Sequence, residues 1–291
     1  MTRTTTRTTM RTTPSGRAGG VWTTAALPAL LALAPVGSAR AQAELPARGA
    51  ALAARVAAVG DGTVRLTYAL REGVCGDGGS VRVRERERDR DRSRDVEWDR
   101  SCEPGPGRLV LEVEGGAVRA LRFHVGGRWR AADARTVELG EVPPDHAAGL
   151  LLRLARGDAP RTADRAAREA LFPATLAAGV NPWPALLTLA RDAGRPREVR
   201  RQAVFWLGVG AGDAATAGLG ELVDDPDREV RVQAVFALSR RPDGEGIAPL
   251  IRIARTHRDP EVRRQALFWL GRSDDPRALA LFEELLVGSG R

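Results

Sequence analysis

The sequence predicts an α+β chain: a small antiparallel β domain with one disulfide, followed by an α-solenoid of near-identical helix pairs. Three observations predict it. Almost the same ten residues occur three times, as VRRQAVFWLG at 199–208, VRVQAVFALS at 230–239 and VRRQALFWLG at 262–271. Upstream of them, apolar residues alternate with polar ones at period two, the rhythm of half-buried strands. The only two cysteines of the 291 residues, Cys75 and Cys102, both fall in that upstream part.

The amino terminus follows an export pattern. Arg3, Arg7, Arg11 and Arg17 precede a mostly apolar run from Val21 to Val36, and Ala39-Arg40-Ala41 supplies small residues where a signal peptidase reads. Residues 1–41 are therefore expected to be a signal peptide, with cleavage before Gln42, or else an anchor if the segment is retained. The expected location is periplasmic or secreted. All 45 basic residues are arginine, and losing the five that precede Gln42 lowers the formal net charge from +8 to +3. A nearly balanced mature chain does not mark a nucleic-acid binder.

Residues 42–143 form the predicted β domain. Val64, Leu66, Tyr68 and Leu70 alternate with Arg65, Thr67 and Ala69 as one strand. Leu109, Leu111 and Val113, then Leu121, Phe123 and Val125, make a hairpin, because Gly115-Gly116 between them tolerates the positive φ of a tight turn. Val137 and Leu139 add an edge strand before Pro143-Pro144, the expected boundary. Cys75 and Cys102, an even pair in an exported chain, read as a disulfide closing a 27-residue separation, for about 3 to 4 kcal/mol on a chain-entropy basis. No CxxC spacing or nearby histidine favours a metal or a reactive thiol, and CGDGG at 75–79 reads as a turn. Between the cysteines, RVRERERDRDRSRDVEWDR at 82–100 interleaves eight arginines with seven acids, too little apolar surface to fold alone. Asp89, Asp91 and Ser93 suggest a calcium loop, but Arg94 stands where glycine is required and Arg100 where the closing glutamate belongs. A solvated insertion is the simpler reading, with Trp98 covering the disulfide or the sheet.

From 144 to 291 the period becomes helical. After a short set at Leu150, Leu151 and Leu154, helical stretches run Ala163 to Ala178, Trp183 to Asp192, Val199 to Val209, Ala214 to Val223, Glu229 to Arg240, Ile247 to His257, Val262 to Gly271 and Arg277 to Val287. The repeat spacing is 31 and 32 residues between Val199, Val230 and Val262, and a weaker copy at Ala167–Phe172 lies 33 residues upstream of Arg200–Phe205. A fixed period of that size means stacked units. Asp259-Pro260-Glu261 is a helix start with a capping carboxylate and first-turn proline; Asp227 and Asp225-Pro226 serve one repeat earlier. Gly208 and Gly271 are expected to end their helices in the left-handed region. On one arc of the last copy Val262, Ala266, Trp269 and Leu270 face the core, with Trp206 and Trp269 filling volume that Ala237 leaves open.

DPEVRRQALFWLGRSDDPRALALFEELL resembles a HEAT repeat of the short bacterial type also found in phycobilin-lyase-like proteins, and the likeness extends over about residues 160–288. The resemblance implies stacked helix pairs and binding of a protein or peptide on an extended surface. The β part resembles no family. Phe205, Phe236 and Phe268 stand where such helices usually carry a polar residue, about 160° from the alanines of the core arc. With Arg201 and Arg264 one turn before, they sketch an apolar stripe edged by guanidiniums, a candidate docking surface. The alternative tucks each ring against the next repeat. Gln202, Gln233 and Gln265 are expected to hydrogen-bond between repeats.

Catalytic signals are thin. His124, His146 and His257 lack sequence neighbours that would orient them and are each expected to be exposed, and without lysine neither a P-loop nor a Schiff base is possible. The second helices offer a groove chiefly Thr188, Arg191 and Glu221. The expectation is an exported, non-catalytic scaffold with a protein or peptide partner in the cell envelope. It has no cofactor, no metal, no nucleic acid and no membrane span after cleavage. A lyase-like enzyme using the groove is the alternative, and nucleic-acid binding a weaker third. Oligomeric state and partner identity are not written in the sequence.

Overall fold

The computed structural model describes residues 45–83, 102–158, 162–210 and 213–288. The expected signal peptide and nearly all of the charged run with Trp98 lie outside them.

Two short helices come first, α1 (Leu45–Arg48) and α2 (Ala50–Ala57), followed by β1 (Gly62–Tyr68), β2 (Val74–Gly76), β3 (Val81–Val83), β4 (Glu103–Pro104), β5 (Gly107–Glu114), β6 (Ala117–His124) and β7 (Thr136–Glu141). The main sheet has the order β6-β5-β1-β7. β1 pairs antiparallel with β5 and β5 with β6, while β7 lies parallel to β1. The expected edge strand at Val137 and Leu139 is therefore present, but its direction departs from a purely antiparallel domain. The loop from β6 crosses the sheet before β7 begins, and a crossing of that length permits parallel pairing. Gly115 and Gly116 turn the β5–β6 hairpin with φ of 56° and 74°. A second sheet, β3-β2-β4, is small and is tied by the Cys75–Cys102 disulfide, with Cα atoms 5.2 Å apart. Asp77 makes the expected turn after Cys75, its Oδ1 accepting from the N–H groups of Gly79 and Ser80.

The period-two pattern decides which sheet face is buried. Val64, Leu66, Tyr68, Leu109, Leu111, Val113 and Leu121 are inside, and helix α3 (Pro144–Arg156) packs its leucines into the same core. Leu150, Leu151, Leu152 and Leu154 are all fully buried, because α1 and α2 cover α3 from another side. That contact is close: a Cβ on Gly149 would lie 2.5 Å from the Leu45 carbonyl oxygen, so only glycine lets the backbones meet.

The helical region continues with α4 (Asp164–Glu169), α5 (Leu171–Thr175), α6 (Trp183–Arg191), α7 (Arg197–Val209), α8 (Asp213–Leu222), α9 (Arg228–Ser239), α10 (Ile247–Thr256), α11 (Pro260–Leu270) and α12 (Pro276–Gly288). First helices α7, α9 and α11 pack side by side, and each packs against a second helix, α6, α8 or α10. The capping chemistry stands as expected: Asp227 and Asp259 accept from the N–H groups of Glu229 and Glu261, both at 2.9 Å. The weak fourth copy is broken into α4 and α5 at Ala170, just before Pro173.

Gly208 and Gly271 act differently from expectation. Gly208 lies inside α7, and Gly271 caps α11 at φ −67°, a right-handed conformation. Gly208 is instead a point of close approach, since a Cβ there would sit 2.8 Å from the Ala237 carbonyl oxygen and 3.0 Å from its Cβ. Ala237 is thus small because α7 crosses α9 at that point. Trp206 and Trp269 are half-buried at the flank between neighbouring first helices, while Val262, Ala266 and Leu270 occupy the interior arc. One buried cluster runs from Leu45 to Leu281 and includes sheet and helices alike. Tyr68 fastens the two, its hydroxyl donating to the Pro173 carbonyl at 2.8 Å, and its burial raises its pKa well above the usual value.

Candidate functional site

The repeated decapeptide places equivalent residues in rows across the outer face of the first helices. Helical geometry puts residues three, four and seven apart on one side, so Glu198, Arg201, Gln202 and Phe205 of α7 line up beside Glu229, Val232, Gln233 and Phe236 of α9 and Glu261, Arg264, Gln265 and Phe268 of α11. The weak copy extends the rows with Arg168, Glu169 and Phe172.

The aromatic row is continuous. Phe205 and Phe236 stack at 6.3 Å with planes 15° apart, and Trp206 and Trp269 join them to the rings on either side. Phe172 stacks on Trp206 at 4.8 Å, Phe205 meets the same Trp206 edge-on at 4.9 Å, and Trp269 lies 5.0 Å from both Phe236 and Phe268. At the other end Phe123 of β6 touches Phe172 at 6.1 Å and Tyr68 at 6.2 Å. Rings from the sheet to the last first-helix thus form one chain of pairwise contacts, each adding about 0.5 to 1.5 kcal/mol beyond its area.

The proposed stripe residues are brought together unevenly. Phe205 and Phe236 are half-buried between repeats, and Phe268, on the last of the described first helices, is 54% exposed under the Arg272 guanidinium at 5.8 Å. Both sequence alternatives thus occur, tucking for two rings and exposure for the third. Arg201 spans two repeats, bonding Glu198 at 3.2 Å and reaching Glu229 at 3.7 Å. Arg264 is exposed, with no ion pair among the described residues. The three glutamines are half-buried, yet none of their amides bonds to another repeat among the described residues; arginine and acid pairs do that work instead.

Those pairs recur with the repeat: Arg197 with Asp227 at 2.7 Å, Arg231 with Asp259 at 3.2 Å, Arg228 with Glu261, and Arg191 with Glu221. Arg197 and Arg228 are held protonated above their ordinary pKa by the Asp227 and Glu261 carboxylates. The groove polar groups anticipated on the second helices are accordingly occupied, Arg191 and Glu221 by one another and the Thr188 hydroxyl by the Pro184 carbonyl at 3.0 Å. His257 is not exposed as expected. Its side chain is 7% accessible, and its Nδ1 accepts from the Asp259 N–H at 3.1 Å. His124, half-buried, donates from Nδ1 to the Gly78 carbonyl at 2.8 Å.

Where the aromatic row meets the sheet there is a cleft of about 560 Å³ that sequence reasoning missed. Leu121, Arg122, Phe123 and His124 of the edge strand β6 form one wall, and Arg168, Glu169, Phe172 and Gln202 of the first helices form the other. Its lining joins the apolar Leu121, Phe123 and Phe172 to Arg122, Arg168 and Glu169, the last paired with Arg165 at 2.8 Å. No periodicity could reveal it, since its walls are nearly 50 residues apart in the chain. Among the described residues no three His, Cys, Asp or Glu side chains are placed to hold a metal ion, and no helix is long and apolar enough to cross a membrane.

Residues 216–289, from within α8 into the end of α12, match the family model of HEAT repeats. The chain has no match among curated proteins.

Proposed function

We propose that the protein is an exported, non-catalytic scaffold whose helix pairs form an α-solenoid holding an extended segment of a partner protein. The observation that carries this is the cleft beside β6 and its continuity with the aromatic row. β6 is an edge strand whose Val118 carbonyl already accepts from the Ala163 N–H at 3.2 Å; nearer Phe123, alternate residues of such an edge direct N–H and C=O groups outward, where an extended peptide can add as a further strand. An apolar side chain of that peptide fits over Phe123 and Phe172, and an acidic neighbour pairs with Arg168. The HEAT match supports a protein-interaction role, since arrays of that kind offer long surfaces rather than enclosed reaction chambers. The disulfide supports an oxidising compartment, periplasmic or extracellular, as does the export-like amino terminus.

Photo-crosslinking tests the reading. A photoreactive residue replacing Gln202 or Phe268 in the full chain should trap the same partner from an envelope extract. One replacing the exposed Ala248 on second helix α10 should not. Equal trapping from position 248, or none from 202 and 268, refutes the surface.

A further inference from the structure

The opposite face of the main sheet carries a second constellation that the scaffold reading leaves unused. Strand alternation sends Arg65 of β1, Arg108 of β5 and Arg122 of β6 outward, and antiparallel pairing sets Arg108 beside His124 and Val110 beside Arg122. The segment after β6 folds back over this face and lays Trp129 on the arginines, with the Arg65 guanidinium 5.1 Å and that of Arg108 5.6 Å from its ring centre. Arg128 and Arg130 flank the tryptophan. Together they enclose a cleft of about 500 Å³, within the range of small-molecule sites.

The charges are incompletely answered. Arg65 donates to the Arg130 carbonyl at 2.9 Å and reaches Glu138 at 3.1 Å, and Arg122 pairs with Glu112 at 2.7 Å. Arg108, Arg128 and Arg130 have no ion pair among the described residues. The Nε atoms of Arg65 and Arg108 are buried with no acceptor among the described residues, as are those of Arg153 and Arg201. A buried donor left unpaired costs free energy comparable to a lost hydrogen bond, more for a charged group, so the guanidiniums that line this cleft favour an added acceptor. The lone carboxylate lining the cleft, Asp133, is taken up by the Thr136 hydroxyl at 2.6 Å and the Arg135 N–H at 3.1 Å. Planar guanidinium forks bind the oxygens of carboxylate or phosphate bidentately.

We infer that this cleft binds a small multivalent oxyanion, held by Arg108, Arg128 and Arg130, with the Trp129 ring 5.6 Å from the Arg108 guanidinium. Arg122 and His124 line this cleft as well as the peptide cleft, so an anion bound here neutralises charge beside the peptide cleft.

Isothermal titration of the full chain with sodium pyrophosphate and, separately, sodium citrate tests it. One equivalent should bind saturably in at least one arm. The arm that saturates tells a phosphoryl from a carboxylate ligand. Arg108→Gln and Arg128→Gln should each weaken binding about tenfold or more, with the affinity falling as salt is raised. Arg258→Gln, which removes a guanidinium that is 81% exposed on the helical region, is the charge-matched control and should leave it unchanged. Arg128 is exposed on the loop, so its variant reports even if Arg108→Gln does not fold. Absence of saturation with both anions, or equal weakening by Arg258→Gln, overturns the site. Both results are independent of whether a peptide binds the other cleft.

Discussion

Consider removal of the Asp225 carboxylate. Arg200 and Asp225 form an ion pair between α7 and the turn before α9, with side-chain exposures of 5% and 7%. Each end is further tied: Arg200 Nε donates to the Ala190 carbonyl at 2.9 Å, and Asp225 Oδ1 accepts from the Asp227 N–H at 2.9 Å. Asp225→Ala leaves a guanidinium buried without its counter-charge. It also removes the acceptor that sets the Asp227 cap. Breaking one partner of such a buried pair costs about 3 to 5 kcal/mol, whereas replacing both with apolar residues of similar size is often neutral or stabilising. Urea unfolding followed by circular dichroism, over Asp225→Ala, Arg200→Met and the double variant Arg200→Met/Asp225→Leu, should give a loss in that range for the first. The double variant should recover most of it. A loss below about 1 kcal/mol for Asp225→Ala, or additive effects in the double variant, would refute the claim that this pair locks adjacent repeats.

Two further outcomes follow from particular contacts. Gly208→Val forces α7 and α9 apart where a Cβ already meets Ala237, and should destabilise by about 1 to 3 kcal/mol in thermal unfolding; an unchanged midpoint would show that the crossing is slack. Acidification should weaken the fold only at low pH. The Asp259 carboxyl is held below its ordinary pKa by the Glu261 N–H, that of Glu261 by Arg228, and that of Asp275 is lowered to about 2 by Arg277. Burial works to raise Asp227, but Arg197 and the Glu229 N–H outweigh it and the net shift is downward. Carboxyls depressed in the folded state contribute stability that is complete above the unfolded value, near 4. That contribution is lost as pH falls from there toward 2. A melting point that is flat from pH 6 to about 4.5 and then drops is expected; a decline that begins near neutrality would contradict it.

How much was legible in the sequence varies with the range of the contact responsible. Helix pairs, capping aspartates, the Gly115-Gly116 hairpin and the alternation of β1, β5 and β6 follow from spacing within a dozen residues, and each is where the pattern put it. The disulfide could be anticipated because there was one possible pairing. Periodicity puts Phe205, Phe236 and Phe268 at equivalent positions of their helices, but it cannot say whether a neighbour covers a ring. Only the packing shows Phe205 and Phe236 stacked between repeats and Phe268 exposed. Gly208 was misread for a similar reason: its smallness serves Ala237 of the following repeat rather than its own helix end.

By itself the sequence determined the repeat and the identity of the elements, because backbone periodicity is local and every copy of the decapeptide obeys it, two of the three with an aspartate cap as well. Tertiary structure alone decided that α1 and α2 cover α3, that β7 runs parallel to β1, and that β6 ends as the wall of a cleft facing Arg168 and Phe172. It also decided that arginines from three strands converge under Trp129. Such meetings join residues tens of positions apart, and what selects them is the area each face must bury and the charge each buried group must find, quantities that exist only once the chain is closed upon itself.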